Sequence, residues 1–220
     1  MAYLTSWRIR PALVIIDLQN SFISPRGSFD KLGYDISKYQ RIVPVIQKTY
    51  KKAKSLKISV FFSKAIREKS GVDMLDRLHK ILPRKRRERI EKLPICVRNT
   101  WDSEIIDDLK PRSDDLIVEK RRDSIFQDTE FELWLKSLRV DTLIFTGVDT
   151  SICVESSLRD AFNKGWDVIL LADATASLDD RFYETTLAEV KENFGLVIKS
   201  GEFFSNLERI GANYFLLKTD

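Results

Sequence analysis

LIFTGVDTSICVESSLRDAF (143–162) decides how the rest of the chain is read. Thr142–Thr146 is a short β-branched and aromatic run, the pattern of a strand. Gly147-Val148-Asp149-Thr150 then breaks it. Ile152, Val154, Leu158, Ala161 and Phe162 follow at the spacing of one helical face, and Gly165 supplies the stop. The unit is strand, turn, helix over about 152–164, with Cys153 in the first helical turn.

Outward from this unit the same pattern recurs. Strands are expected at Ala12–Ile16, Ile58–Phe62, Leu116–Val118, Val168–Leu171 and, more weakly, Leu196–Ile198. Between them lie helical faces: Ile42, Val45, Ile46 and Tyr50; Phe131, Trp134, Leu135 and Leu138; Leu187, Val190 and Phe194, closed by Gly195. Strands alternating with helices make βαβ units and hence a parallel sheet with helices on both faces. The strands are apolar throughout rather than alternating, as expected for a sheet buried on both sides. One α/β domain over 1–220 is expected, with an insertion or long crossover at about 63–100.

Composition narrows the function. Two cysteines in 220 residues make no disulfide framework, so Cys96 and Cys153 read as free thiols of a reducing, cytoplasmic compartment. No signal-like segment and no apolar run near the roughly 18 residues of a membrane span is present in this sequence. The eight glycines are too scattered for a dinucleotide fingerprint or a Walker loop. One histidine, His79, excludes a two-histidine zinc motif. The formal charge of +4 comes from one segment, KILPRKRRERIEK (80–92), whose seven basic and two acidic residues leave the rest slightly acidic. It reads as a solvated face; nucleic-acid binding is not expected, and an acidic partner would dock there.

Open parallel sheets bind ligands beyond the carboxyl ends of their strands. Asp17 follows the first strand, Lys120 the third and Cys153 the fourth, so three junctions bring an acid, an ammonium and a thiol to one sheet edge. Each residue alone has an ordinary structural role; together they have a mechanism. A helix N-terminus and an ammonium favour a thiolate and so lower a thiol pKa. A carboxylate can take the thiol proton and later activate water. Backbone N–H groups of the 149–153 turn can hold an oxyanion. The reaction class is acyl transfer to sulfur, then hydrolysis.

Four strings carry a resemblance: ALVIIDLQNSF (12–22), DLIVEKRRDSIF (115–126), LIFTGVDTSICVESSLRDAF (143–162) and VILLADATAS (168–177). They resemble the isochorismatase-like cysteine hydrolase family, and CVESSLRDAF is most similar to its ureidoacrylate amidohydrolase and N-carbamoylsarcosine amidase members. The resemblance implies a three-layer α/β/α sandwich with six parallel strands in order 3-2-1-4-5-6. It implies the triad Asp17, Lys120 and Cys153, a non-proline cis peptide at Val148–Asp149, and an oxyanion hole from the amides of Asp149 and Cys153. It also implies a homodimer or homotetramer. The cysteine separates the chain from isochorismatases that cleave a vinyl ether. The Asp-x-His pair of the metal-binding nicotinamidases has no counterpart in FFSKAIREKSG (61–71), so no metal and no other cofactor is expected.

The implied activity is metal-independent hydrolysis of a C–N bond in a small linear amide or carbamoyl (ureido) compound, through a thioester, with release of ammonia. The alternatives are hydrolysis of a ring amide, as in nicotinamidases, or a non-catalytic scaffold binding an acidic partner through 80–92. Asn20, Phe22, Trp101 and Phe126 are expected to line the substrate pocket, and Arg26, Arg121 and Arg122 to be available to a substrate carboxylate. Glu155, Arg159 and Asp160 are expected to brace the helix that follows the thiol or an oligomer interface.

Overall fold

Pro11–Ile16 is apolar and buried at every position because it runs through the middle of a sheet covered on both faces. The structure, a computed structural model, describes residues 3–74, 80–84, 87, 88, 91, 93–210 and 214–219. Its strands are β1 (Tyr3–Arg8), β2 (Pro11–Ile16), β3 (Ser59–Ala65), β4 (Leu116–Lys120), β5 (Thr142–Val148), β6 (Asp167–Ala176), β7 (Leu196–Ile198) and β8 (Tyr214–Thr219). Six of them form one sheet in spatial order β4-β3-β2-β5-β6-β7, with every neighbour parallel. Counted within the sheet, this is the expected order 3-2-1-4-5-6.

Two apolar layers sandwich the sheet. Leu13, Ile15, Val60, Phe62, Ile144 and Ile169 point to one side, where α3 (Ser37–Ser55) covers them with Tyr39, Ile42, Ile46 and Tyr50. Ala12, Val14, Ile16, Phe61, Val118 and Phe145 point to the other. There Phe131 and Leu135 of α4 (Phe131–Ser137), Leu158 and Ala161 of α5 (Glu155–Asn163) and Val190 of α6 (Asp180–Asn193) complete the core. Strict alternation along β2 fills both layers from one strand. Each fully buried Leu, Ile or Phe contributes about 1.5–3 kcal/mol, so the inner strands anchor the sheet. Two short helices, α1 (Asn20–Ile23) and α2 (Ser28–Lys31), follow β2, and α7 (Ser200–Ile210) follows β7.

The structure differs from the sequence reading in four places. β1 and β8 pair antiparallel as a separate two-stranded ribbon, Tyr3 opposite Thr219 and Arg8 opposite Tyr214. Burial on both faces holds for β2 and β5 but not for β4, an edge strand with Ile117 exposed. β6 runs five residues past Leu171. The helix expected from Ile152 begins instead as a wide π turn over Thr150–Val154, closed by the Val154 amide on the Asp149 carbonyl at 3.1 Å.

In the 63–100 stretch, Arg67 pairs with Val97 as a parallel bridge beside the end of β3. His79 and five residues of the basic run (85, 86, 89, 90 and 92) lie outside the described residues. Arg84 and Glu88 form an exposed i,i+4 ion pair at 2.7 Å. Among the described residues no helix is long and apolar enough to cross a membrane.

Candidate active site

β4, β2 and β5 end at the same edge of the sheet, with β3 between the first two, and bring Lys120, Asp17 and the turn before Cys153 to it. Val118 of β4 packs into the layer that holds α5, and Lys120, two residues on, points the same way. Asp17 leaves β2 with φ +52°, a left-handed conformation that Asp tolerates better than branched residues do. Gly147 of β5, at φ +109°, lies so close to Ile16 that a Cβ would stand 2.1 Å from the Ile16 carbonyl oxygen. Only glycine fits there.

Lys120 Nζ lies 2.8 Å from Asp17 Oδ2, and both side chains are 1% exposed. Ser63 of β3 completes the acid's setting: its hydroxyl donates to Asp17 Oδ1 at 2.5 Å and accepts from the Asp17 amide at 3.1 Å. The Lys120 ammonium also donates to the Arg122 carbonyl at 3.2 Å. Burial alone would pull the Lys120 pKa down, but the Asp17 carboxylate and Cys153 outweigh it and hold it above the ordinary value.

Cys153 is half-buried and free, close to the hydroxyl-rich turn but with part of its surface open to solvent. Its thiol donates to Asp123 Oδ1 over a long 3.9 Å, and Asp17 and Lys120 act on it electrostatically. Burial pushes the thiol well above its ordinary pKa; Lys120 opposes this, while Asp17 and Asp123 add to it. The expected lowering is therefore corrected. Two carboxylates and low-dielectric packing beside the sulfur exceed one ammonium and a helix end, so the resting group is a thiol.

The turn that carries the sulfur is fixed by Asp149. Val148–Asp149 is a cis peptide, as the resemblance implied. The Asp149 carboxylate accepts from the Ser151 amide (2.8 Å), the Ser151 hydroxyl (2.8 Å), the Ser177 hydroxyl (2.6 Å), the Tyr39 hydroxyl (2.7 Å) and the Leu178 amide (3.2 Å). The Asp149 carbonyl takes the amides of Ile152 and Val154. Behind it, Thr150 and Thr175 share a hydrogen bond at 2.7 Å. Burial and the neighbouring Asp149 carboxylate raise the Tyr39 phenol above its ordinary pKa, so it stays a donor.

The expected pocket residues separate into two groups. Phe22 and Trp101 stand beside the exit of β2: Phe22 packs edge-on to Phe29, and Trp101 is 53% exposed in a 3-10 turn over Trp101–Ser103. Asn20 does not present a free amide. Its Nδ2 donates to the Trp101 carbonyl at 2.9 Å and its Oδ1 accepts from Ser24 at 2.7 Å, so it holds Trp101 in place. Phe126 is a core residue, its ring against Phe131 (4.9 Å) and Trp166 (5.4 Å). Hydrogen bonding engages the one side chain and ring packing the other.

The arginines are also engaged. Arg121 pairs with Glu68 at 2.5 Å, and Arg122 donates to the Asp73 and Arg121 carbonyls. Arg26 is exposed. On the helix after the thiol, Glu155 pairs with Arg159 at 2.7 Å and accepts from Thr186 of α6 at 2.6 Å, bracing α5 against α6.

Residues missed in the sequence are Ser63, Tyr39, Asp123 and Gln19. Gln19 is fully buried and ties three segments: its Nε2 donates to the carbonyls of Ala65 and Ser103, and its Oε1 accepts from the Ala65 amide, all at 2.8 Å. The one available signal was polarity inside otherwise apolar junctions. No group of three or more His, Cys, Asp or Glu among the described residues is placed to hold a metal.

Comparison with known proteins gives a consistent result. The isochorismatase domain family matches residues 11–202. Ureidoacrylate amidohydrolase RutB of Serratia proteamaculans (strain 568) is 32% identical over 205 residues, 89% of this chain and 82% of that protein. The RutB of Agrobacterium fabrum (strain C58) is 32% identical over 87% of each chain. The crystal structure of a cysteine hydrolase from Pseudomonas syringae pv. phaseolicola 1448A superposes with a TM-score of 0.80 at 28% identity, covering 92% of this chain and 96% of that one. With the family match spanning all six sheet strands and the acid, ammonium and thiol at their ends, the chain belongs to the isochorismatase family.

Proposed function

We propose that the protein is a cysteine amidohydrolase that cleaves a C–N bond of a small linear amide or carbamoyl (ureido) compound. One observation carries the reading: a buried carboxylate–ammonium pair, 2.8 Å apart, acts electrostatically on the thiol of half-buried Cys153 at the same sheet edge. The relatives named above, ureidoacrylate amidohydrolases, support a substrate with a ureido group.

In this reading Asp17 takes the Cys153 proton as sulfur attacks the carbonyl carbon. The amides of Asp149 and Cys153 hold the oxygen of the tetrahedral intermediate. The intermediate collapses, Asp17 returns the proton to the leaving nitrogen, and ammonia departs, leaving a thioester. Water then attacks the thioester, its proton passing to Asp17, and that proton returns to sulfur as the acid product leaves. Lys120 stays charged throughout, holds Asp17 in place and stabilises sulfur whenever it carries negative charge. Phe22 and Trp101 flank the substrate.

Metal independence rests on the sequence: FFSKAIREKSG (61–71) holds no Asp-x-His pair. A homo-oligomer and a cytoplasmic location belong to the same reading; light scattering reads the first, and two free thiols favour the second.

The test is ammonia release from a panel of linear amides and ureido compounds. Activity that resists EDTA and disappears in Cys153→Ala and after iodoacetamide supports the reading. Full activity after alkylation of Cys153 rejects it.

A further inference from the structure

Asp123 stands beside the nucleophile candidate, three residues after Lys120 in the loop that follows β4. Its Oδ1 lies 3.9 Å from Cys153 Sγ, and the residue is exposed. That contact is its one side-chain interaction among the described residues. The two arginines before it leave its charge uncompensated, Arg121 pairing with Glu68 and Arg122 donating to the carbonyls of Asp73 and Arg121.

The loop that carries Asp123 is tied to the helix after the thiol. The Ile125 amide donates to Ser157 Oγ at 3.0 Å, which ties the loop to α5, and Ser157 in turn donates to the Cys153 carbonyl at 2.6 Å. Ile125 is fully buried. The backbone that carries Asp123 is therefore hydrogen-bonded to the segment that carries the sulfur, which places the carboxylate within reach of it.

A reacting carbonyl carbon comes within about 3–3.5 Å of the attacking atom. The atoms bonded to that carbon then fall within reach of Asp123. A carboxylate has acceptors and no donors, and it repels another carboxylate in a partly desolvated site. We propose that Asp123 is a specificity-determining residue: it accepts the N–H of the carbamoyl nitrogen that is not expelled, and it excludes substrates with a carboxylate adjacent to the reacting carbon.

This inference rests on the proposed hydrolase reading and deepens it, from linear amides in general to carbamoyl compounds with N–H on both sides of the carbonyl. It also explains why the site tolerates a second acidic group that opposes thiolate formation.

Two measurements test it. The first compares N-carbamoylglycine with its isostere succinamic acid, in which a methylene replaces the inner N–H; both keep a remote carboxylate. The ratio of kcat/KM for the two falls about 10- to 100-fold in Asp123→Ala, the factor for losing one charged hydrogen bond, and recovers in part in Asp123→Asn, which keeps an acceptor oxygen. An unchanged ratio overturns the N–H contact.

The second measurement needs no turnover. Alkylation of Cys153 by neutral iodoacetamide and by anionic iodoacetate is followed by mass spectrometry at one pH, so the thiolate fraction cancels in the ratio. Asp123→Asn raises the iodoacetate rate relative to iodoacetamide by about three- to tenfold. An unchanged ratio overturns the exclusion. If no amide of the panel is cleaved, the hydrolase reading and the N–H contact fail together, and the alkylation ratio alone decides whether Asp123 selects by charge.

Discussion

Both cysteines of the chain feel the Asp17 carboxylate, yet they lie in opposite surroundings. Cys96 is 1% exposed, in the segment that runs beside the end of β3, and burial, with Asp102 and Asp17 nearby, pushes its pKa to about 12. Cys153 is also pushed up, chiefly by burial, but an ammonium opposes the shift and part of its surface meets solvent. The direction of the shift does not distinguish them. A cation opposes the shift at each, Arg67 at Cys96 and Lys120 at Cys153, so what differs is exposure and the second partner: Cys153 is half-buried and its ammonium is itself paired with the Asp17 carboxylate. A thiol is thus set apart for chemistry by its exposure and by an acid–ammonium pair beside it, not by a low resting pKa.

The sharpest way to break this contrast is to exchange the thiols' fates. Cys153→Ala lowers ammonia release at least about 1,000-fold, while Cys96→Ser leaves most of it. Equal losses in a steady-state assay would erase the distinction.

The ammonium comes next. Lys120→Met strands a buried carboxylate, which costs about 3–5 kcal/mol and lowers Tm by about 6–20 °C. The pH dependence carries a sign. Folding raises the Lys120 pKa, so its contribution is complete below the unfolded lysine value of about 10.4 and is lost as pH climbs through the folded one. Wild-type Tm therefore declines above about pH 10.4 more steeply than that of Lys120→Met, and parallel curves from calorimetry contradict the pairing.

Alkylation sharpens the comparison directly. At pH 7 to 8 in the folded protein iodoacetamide modifies Cys153 alone, and its rate keeps rising past pH 8.5, the ordinary thiol value, because the resting thiol is held protonated. A plateau below pH 8 would show a depressed pKa instead. A smaller effect is expected at the acid: Ser63→Ala removes two hydrogen bonds from Asp17, one at its Oδ1 and one at its amide, and lowers kcat about tenfold with little change in KM. The smallest is Tyr39→Phe, which removes one of five donors to Asp149 and costs about 1 kcal/mol, or about 2–4 °C in Tm.

The sheet and the three strand-end residues were legible because their signals are local. An apolar run ending in Asp17, or in Glu119-Lys120, states both the strand and its exit. Asp149 was legible only through the resemblance, and its five donors come from α3, the turn itself and the residues after β6, which no window of sequence joins. Ser63 reads as an ordinary polar residue until β3 is laid beside β2. At Asn20 and Phe126 adjacency to a key residue does not reveal that the amide is hydrogen-bonded and the ring packed in the core. The β1–β8 ribbon pairs segments some 200 residues apart, a contact that periodicity does not encode.

The contact between Gly147 and Ile16 bears on how such a site can change. One backbone holds the acid and its immediate neighbour leads to the sulfur, and no methyl group fits between them. The gap between the two reacting groups is set by the ladder of a β-sheet and cannot be widened by exchanging side chains. New substrates have to be accommodated from the loops after β3 and β4, which form the adjustable jaw of a vice whose other jaw is fixed.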